Sequence, residues 1–237
     1  MPERLVIIPT YDEKENIREI LGSVLLLRPD FEVLVVDDNS PDGTAGLVKE
    51  MMHDHPGRVH LVERAGKLGL GTAYIAGFRW AIARGYDFVF EMDADLSHDP
   101  NDLPRLHAAC AEHGADMSVG SRYVRGGKVH DWSWDRVVMS YMASLYVRCV
   151  LRLGVRDTTA GFVCYSLKVL KALPLEEIRF VGYAFQIEMK YRVKRLGFRI
   201  AEVPITFRDR RKGKSKMSMG IFNEAFYGVL QMRRRIP

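Results

Sequence analysis

Apolar and polar positions follow two different periods along the first half of the chain. Short apolar runs, of the kind that forms buried strands, are separated by stretches in which apolar residues recur every three or four positions. Strands and helices that alternate in this way form a mainly parallel sheet covered by helices on both faces, an α/β fold. The predicted strands are Leu5–Ile8, Val33–Val36, Val59–Val62, Asp87–Met92 and Met117–Val119.

The helical period is clearest between the first two strands, where five apolar residues within 17–25 form one core-facing stripe. Asp12, with Glu15 three residues later, is expected to cap the start of this helix. Other elements are predicted from the same patterns. They are helices at Thr44–His53, Thr72–Arg84, Leu103–His113, 135–153 and 183–196, a strand at Arg199–Phe207, a basic loop at Arg208–Ser218, and an amphipathic segment ending in Arg233–Arg235.

Length and composition are those of one folded domain. The 237 residues are enough for one large α/β domain, which we predict over 1–237, although length alone does not exclude two small domains. A content of 47% hydrophobic and 27% charged residues argues against disorder. No run of about 18 apolar residues predicts a transmembrane helix, and the first residues do not predict a signal peptide. Three cysteines without metal-type spacing are expected to be free thiols in a reducing cytosol.

The net charge is small. A formal charge of +5, from 35 basic and 30 acidic residues, is too low to indicate nucleic acid as a partner. It is compatible with an anionic small molecule or with an anionic membrane surface.

Polar residues follow four of the five predicted strands. Parallel sheets bind their ligands beyond the carboxyl ends of the strands, so this edge is the expected site. The four segments are Pro9–Glu13, Asp37–Ser40, Asp93–Asp95 and Gly120–Arg122.

The acidic triplet Asp93-Ala94-Asp95 is the strongest candidate for chemistry. On an extended chain residues two apart point the same way, so both carboxylates could face one ligand. Carboxylate oxygens suit Mg²⁺ or Mn²⁺, which would neutralise a departing diphosphate. By itself such a triplet is more often a solvated acidic turn or a helix cap, but a second acidic strand end at Asp37 and Asp38 favours a site that also receives a base or ribose.

Several other chemistries are disfavoured. Lys67–Gly71 lacks the spacing of a phosphate-binding P-loop, and no GxGxxG follows the first strand. Nothing resembles a Ser-His-Asp or Cys-His nucleophile system, and the seven histidines lack an HExxH pattern. Arg122, Arg210 and Lys216 are candidate phosphate contacts, with solvated surface charges as the alternative.

The ordered set of segments resembles family 2 glycosyltransferases of the GT-A fold. Within that family it is most similar to the dolichyl-phosphate (polyprenol-phosphate) mannose synthases. The resemblance covers nearly the whole chain. The segments that carry it are Val6–Glu13, Val35–Thr44, Met92–His98, Gly120–Tyr123, Trp134–Asp135, Gly182–Gln186, and Val203–Arg210 followed by Lys216.

The resemblance implies an inverting, metal-dependent transfer of mannose from GDP-mannose to a polyprenyl phosphate. It divides the domain into a nucleotide-sugar half, 1–125, and an acceptor- and membrane-facing half, 126–237. It also assigns residues. The guanosine end would be bound by Pro9, Tyr11, Glu13, Val36 and Asp38. Sugar, diphosphate and metal would be held by Asp93, Ala94 and Asp95, with Ser97 as a further metal ligand. The phosphates would be contacted by Arg122, Arg210 and Lys216.

A phosphate acceptor explains the missing catalytic histidine. The second pKa of a phosphate monoester is about 6, so the lipid phosphate is already ionised at neutral pH and needs no strong general base. Alignment of the reacting atoms and stabilisation of the leaving GDP remain for the protein to supply.

A lipid acceptor requires contact with the bilayer, which without a transmembrane helix would be peripheral and at the cytoplasmic face. Two segments combine apolar and basic residues, although core packing is the alternative for both, and a small membrane-embedded subunit could tether the protein. The first contains Arg136, Arg148 and Arg152 beside Val137, Val138, Met139, Tyr141, Met142, Leu145, Tyr146 and Val147; the second contains Ile221, Phe222, Phe226, Tyr227, Val229 and Leu230 before Arg233–Arg235.

Three other activities remain open at this point. A related transferase could use a UDP-sugar with the same lipid, and a non-catalytic nucleotide-sugar-binding subunit is conceivable. A sugar-1-phosphate nucleotidyltransferase shares the broad fold, but its glycine-rich segment after the first strand is missing. Processive synthesis is disfavoured because Gln231-Met232-Arg233-Arg234 lacks the tryptophan of the Gln-x-x-Arg-Trp motif.

Overall fold

The computed structural model describes residues 3–182, 184–209 and 220–236, with only the backbone of 220–226. The strands are β1 Arg4–Thr10, β2 Glu32–Asp37, β3 Val59–Glu63, β4 Phe88–Glu91, β5 Met117–Ser121, β6 Lys128–His130, β7 Val163–Ser166, β8 Ile200–Pro204 and β9 Thr206–Arg208. The helices are α1 Ile17–Leu25, α2 Thr44–Asp54, α3 Leu70–Arg84, α4 Leu103–Ala111, α5 Trp134–Leu151, α6 Leu167–Ala172, α7 Ala184–Arg195 and α8 Gly220–Arg235.

Seven strands form the main sheet, in the order β3-β2-β1-β4-β7-β5-β8. All neighbouring pairs are parallel except the two that involve β7, which runs antiparallel to both β4 and β5. The predicted mainly parallel α/β sheet is confirmed. The strands β6 and β7 were not predicted from the sequence.

Each face of the sheet buries its own apolar cluster. Along β1, Val6 and Ile8 pack with α1, α2 and α4 on one face, whereas Leu5 and Ile7 pack with α3, α6 and α7 on the other. Both sets of side chains are fully buried, as the alternation of a strand between two helical layers requires.

A third apolar cluster joins α5, α7 and α8 at one side of the sheet. It contains Val147 and Leu151 from α5, Ile187 from α7, and Val229 and Met232 from α8. The expectation that Val147 and Val229 face a membrane is therefore wrong, because both side chains are buried against neighbouring helices. Within the described ranges, no helix is both long and apolar enough to cross a bilayer.

The predicted cap of the first helix is also wrong. The helix α1 begins at Ile17, its N-cap residue is Asn16, and no side chain caps it. Asp12 instead adopts a left-handed backbone conformation with φ of 55°. Its amide donates a hydrogen bond to Ser40 Oγ at 3.1 Å, so this turn belongs to the strand-end loops.

Candidate active site

Asp37 ties the carboxyl ends of β1 and β2 together. Its buried carboxylate accepts hydrogen bonds from Thr10 Oγ1 at 2.7 Å and from the amide and hydroxyl of Ser40 at 2.9 and 2.6 Å. This side chain supports the loop rather than facing a ligand.

Asp38 is held by Arg64, which follows β3. The Arg64 Nε and Nη2 atoms lie 2.6 and 2.5 Å from Asp38 Oδ1, and Nη1 donates to Thr72 Oγ1 at 2.8 Å. The pair is nearly buried, so it fixes Asp38 to the start of α3. Sequence reasoning missed Arg64, since its partner lies 26 residues earlier.

Three strand ends of the main sheet are followed by a non-glycine residue with positive φ. Asp12 follows β1, Asn39 follows β2 and Leu96 follows β4, with φ values of 55°, 58° and 61°. Such conformations are costly for side chains with a Cβ atom and cluster at functional sites. All three lie at the edge of the sheet where the sequence predicts ligand binding.

The remaining residues of the predicted guanosine cradle lie at the same edge. Pro9 and Val36 are register partners on β1 and β2, and Lys67 Nζ lies 4.9 Å from the centre of the Tyr11 ring. The amide of Glu13 donates to Thr44 Oγ1 at 3.1 Å. The structure therefore brings the five residues of this prediction together, while their ligand remains a prediction.

The acidic triplet lies directly after β4. Asp95 is almost buried and its Oδ1 accepts a hydrogen bond from the amide of Ser97 at 3.1 Å, whereas the Asp93 side chain is 39% exposed. Ala94, between them, is buried. The Ser97 hydroxyl is buried and has no hydrogen-bond partner among the described residues.

This donor set fits a hard divalent cation. Two carboxylates and an orphaned hydroxyl are oxygen ligands of the type that Mg²⁺ and Mn²⁺ prefer. In the described part of the chain no group of three or more His, Cys, Asp or Glu side chains could hold a metal ion alone. A cation here would therefore complete its coordination with oxygens of a bound ligand or water.

His98 is placed as a neutral aromatic side chain. It stacks on Phe162 with ring centres 4.8 Å apart and meets the edge of Phe207 at 5.5 Å. Burial lowers the pKa of His98 to about 4, although the charge of Asp95 opposes that shift. The ring is thus uncharged at neutral pH.

A buried polar network lies behind the triplet. Glu91, the last residue of β4, accepts hydrogen bonds from Gln186 Nε2 at 2.5 Å and Tyr165 Oη at 3.2 Å. Lys190 Nζ donates to the carbonyl of Ala160 at 2.6 Å and contacts Gln186 Oε1 at 3.3 Å. Burial raises the pKa of Glu91 to about 7 and lowers that of Lys190 to about 8, and the attraction between their charges opposes both shifts.

Arg122 forms a buried ion pair with Asp157. Its Nε and Nη2 atoms donate to the two oxygens of Asp157, each at 2.7 Å, and Nη2 also donates to Thr159 Oγ1 at 3.0 Å. Because this ion pair occupies Nε and Nη2, the phosphate contact of Arg122 stays a prediction. Arg210 and Lys216 lie outside the described residues.

The first half of α5 presents an apolar surface, which we call the exposed helix face. Trp134 is 80% exposed and Met142 54% exposed, whereas Ser144 and the following turn are packed. Arg136 stacks on Trp132 at 3.9 Å and pairs with Asp209. The five members of the exposed helix face are Trp134, Val138, Met139, Tyr141 and Met142.

The C-terminal helix α8 adds to this exposed apolar and basic character. Tyr227 and Leu230 are exposed, and the arginines at positions 233, 234 and 235 follow them on the outer surface. The side chains of Ile221, Phe222 and Phe226 lie outside the described residues.

Comparisons with known proteins agree with this architecture. Residues 5–179 match the model of "Glycosyl transferase family 2". The chain is 48% identical over 227 residues to the polyprenol monophosphomannose synthase of Mycolicibacterium smegmatis, covering 96% of this chain and 85% of that protein. It is 49% identical over 225 residues to the undecaprenyl-phosphate mannosyltransferase of Micrococcus luteus, covering 95% of this chain and 91% of that protein.

The fold is also that of a solved structure. Glucosyl-3-phosphoglycerate synthase from Mycobacterium tuberculosis, in complex with Mn²⁺, UDP and glucosyl-3-phosphoglycerate, superposes with a TM-score of 0.73. The alignment covers 100% of this chain and 81% of that chain at 22% identity, so it supports the fold alone.

Proposed function

The chain belongs to glycosyl transferase family 2. We propose that it transfers mannose from GDP-mannose to a polyprenyl phosphate. The observation that carries this proposal is the similarity to two relatives, one named a polyprenol monophosphomannose synthase and the other an undecaprenyl-phosphate mannosyltransferase. Each alignment spans at least 95% of the chain, and so includes both the strand-end site and the helices beside it.

The donor would bind along the carboxyl edge of the sheet. Pro9, Tyr11, Glu13, Val36 and Asp38 would hold the guanosine end. The Asp38–Arg64 pair supports this role, because a fixed carboxylate can accept hydrogen bonds without losing side-chain entropy on binding. The expected phosphate contacts from Arg210 and Lys216 complete the proposal for the donor.

Asp93, Asp95 and the orphaned hydroxyl of Ser97 would hold Mg²⁺ or Mn²⁺, which when bound neutralises charge on the departing diphosphate. The Mn²⁺ in the complex of the distant glucosyl-3-phosphoglycerate synthase is compatible with this assignment.

The transfer itself requires little acid–base chemistry from the protein. An ionised oxygen of the lipid phosphate attacks the anomeric carbon of mannose, the bond from that carbon to GDP breaks on the opposite side, and the configuration inverts. No proton has to be removed from the attacking phosphate, which agrees with the neutral, stacked state of His98. Alignment by the strand-end loops would then be the main contribution of the protein.

The acceptor would be reached at a membrane surface. The exposed helix face is apolar, and Arg233, Arg234 and Arg235 on α8 would be attracted to anionic lipid, with about 1 kcal/mol for each basic residue near the surface. We therefore expect peripheral binding at the cytoplasmic face. A small membrane-embedded subunit would be needed only if the purified protein fails to bind vesicles.

A direct assay tests the activity. Purified protein is incubated with labelled GDP-mannose, Mn²⁺ and a short polyprenyl phosphate, and the expected product is an acid-labile mannolipid. Asp95→Ala is expected to lower the rate by about three orders of magnitude, or roughly 4 kcal/mol of transition-state stabilisation, with the fold retained. Competition by UDP that equals or exceeds that by GDP would instead support the UDP-sugar alternative. Absence of the mannolipid in every arm would contradict the proposal.

A further inference from the structure

Tyr74 on α3 is a buried tyrosine whose hydroxyl has no hydrogen-bond partner among the described residues. Buried polar groups almost always have a partner, and an unsatisfied one needs an explanation. The ring cannot turn to find a partner easily, because it stacks on Phe185 with centres 6.0 Å apart and planes at 6°. The hydroxyl is therefore held in place without a hydrogen bond to any residue that the structure describes.

The position of α3 places this hydroxyl beside the acidic triplet. Thr72, near the start of α3, receives a hydrogen bond from Arg64, the partner of Asp38, so the helix begins at the carboxyl edge of the sheet. Gly77 packs directly on Ile7, and a Cβ atom at Gly77 would come within 2.8 Å of that side chain.

Ile7 is the register partner of Glu91. Tyr74 lies three residues, or about 4.5 Å along the helix axis, nearer the carboxyl edge than Gly77. That distance corresponds to between one and two strand residues beyond Glu91, and so reaches Asp93.

The electrostatics agree with that placement. Burial raises the pKa of Tyr74 well above its ordinary value, and the charges of Asp93, Glu91 and Asp95 raise it further, in that order. Tyr74 therefore stays protonated across the working pH range and acts as a hydrogen-bond donor surrounded by carboxylates.

Of these three carboxylates, Asp93 is the one best suited to accept a hydrogen bond from the Tyr74 hydroxyl. Both oxygens of Glu91 already accept hydrogen bonds, from Gln186 and Tyr165. Asp95 is almost buried, and its Oδ1 accepts from the amide of Ser97. Asp93 is the most exposed of the three, with 39% of its side chain accessible, and its charge raises the pKa of Tyr74 more than the other two do.

We propose that Tyr74 is a positioning residue: its hydroxyl donates a hydrogen bond to Asp93 when the donor binds, and so fixes that carboxylate for its ligand. The inference rests on the proposed function, since it assumes that Asp93 contacts the nucleotide sugar or its metal. A partner that orients a ligating carboxylate typically changes affinity or activity by 10- to 100-fold.

Two tyrosine-to-phenylalanine variants form a matched test. Tyr74→Phe removes a hydroxyl that makes no hydrogen bond to any described residue, so we expect a melting temperature equal to or above that of the wild type. Tyr86→Phe removes a hydroxyl that donates to Glu32 at 2.5 Å, at the amino-terminal ends of the strands and away from the candidate site. The Tyr86 variant should melt at a lower temperature and bind donor normally.

The decisive measurement is donor binding by calorimetry in the presence of Mn²⁺. Tyr74→Phe should weaken GDP-mannose binding and raise the Mn²⁺ concentration required for half-maximal binding by roughly tenfold or more. In a double-mutant cycle, Tyr74→Phe should have little further effect on Asp93→Asn. Unchanged binding by Tyr74→Phe, a lowered melting temperature, or full additivity with Asp93→Asn would each overturn the inference.

The wild-type protein separates the two claims. If it binds GDP-mannose and Tyr74→Phe binds equally well, only the role of Tyr74 is wrong. If the wild type binds no GDP-mannose under any metal condition, the proposed function fails and the inference fails with it.

Discussion

The carboxyl edge of the sheet and the first half of α5 differ in which kind of side chain they bury and which they expose. At the sheet edge, several charged side chains are nearly buried and paired with each other, as in Asp38–Arg64 and Asp157–Arg122. On α5, large apolar side chains such as Trp134 and Met142 are exposed to solvent. The first region places charge where water is scarce, and the second places apolar surface where water is abundant.

The difference indicates which property each region serves. A buried ion pair is costly to assemble and more costly to break, so it fixes geometry. A cluster of exposed apolar residues adds little to the stability of an isolated monomer and marks a surface for a partner or membrane. Substitutions at the sheet edge should therefore change the free energy of unfolding, whereas substitutions on the exposed helix face should change vesicle binding.

The largest expected effect on folding is at Asp157. Asp157→Asn leaves the buried guanidinium of Arg122 without a counter-charge, which should lower the free energy of unfolding by about 3–5 kcal/mol. Urea denaturation measures the loss. Asp30→Asn is the control, because Asp30 pairs with Arg28 in solvent and should cost less than about 1 kcal/mol. Equal losses in the two variants would contradict the interpretation.

Lys190 should give a smaller effect that depends on pH. Burial lowers its pKa to about 8, against the attraction of Glu91 and Asp157, with the charges of Arg122 and Glu202 also acting on it. Between about pH 8 and 10.5 the unfolded chain binds more protons at this site than the folded chain, so its contribution to stability rises with pH.

Lys190→Met removes that contribution. Relative to the variant, the wild type should become more stable from pH 8 to 10 by at most about 3 kcal/mol. Chemical denaturation at a series of pH values measures the difference. Parallel pH profiles for the two proteins would show that this buried ammonium does not titrate in that range.

On the exposed helix face, the double change Trp134→Ser and Met142→Ser should weaken binding to vesicles of anionic lipid. Loss of two inserted apolar side chains is expected to cost about 2 kcal/mol, or roughly 30-fold in partitioning, with little change in melting temperature. Flotation with vesicles measures it. The exposed leucines Leu26 and Leu196, changed to serine, are the controls, and equal losses would assign no special role to α5.

The smallest effect is expected at Arg234. Arg234→Ser should weaken binding to the same vesicles by about 1 kcal/mol, or roughly fivefold, at low salt, because one basic residue near an anionic surface contributes about that much. The difference should shrink in 0.5 M salt, where charges are screened. A salt-independent loss would indicate a packing defect rather than attraction to lipid.

The sequence predicted the elements that have a clear period and missed those that depend on distant partners. Five strands and the helix stripe within 17–25 follow from local alternation alone. The antiparallel strand β7 and the partners Arg64 and Asp157 could not be found in this way, because the residues they meet lie tens of positions away.

The same limit applies within the candidate site. The acidic triplet was recognisable because its members are adjacent in sequence, but the network of Gln186 and Lys190 behind it depends on how α7 packs. Asp12 was misassigned as a helix cap, since its left-handed conformation is set by the contact with Ser40 across two loops. Tyr74 was not among the candidate residues identified from the sequence.

The antiparallel strand has a consequence for how the chain folds as it leaves the ribosome. In the main sheet β4 and β5 are joined only through β7, and the other neighbour of β5, β8, is made still later. A nascent chain of about 125 residues can assemble β1 to β4, but β5 would have no neighbouring strand to pair with, and its apolar side chains would stay exposed. The strand β5 can therefore join the sheet only after the chain has been translated through Ser166, the last residue of β7. Fragments that end earlier should depend on chaperones to stay in solution.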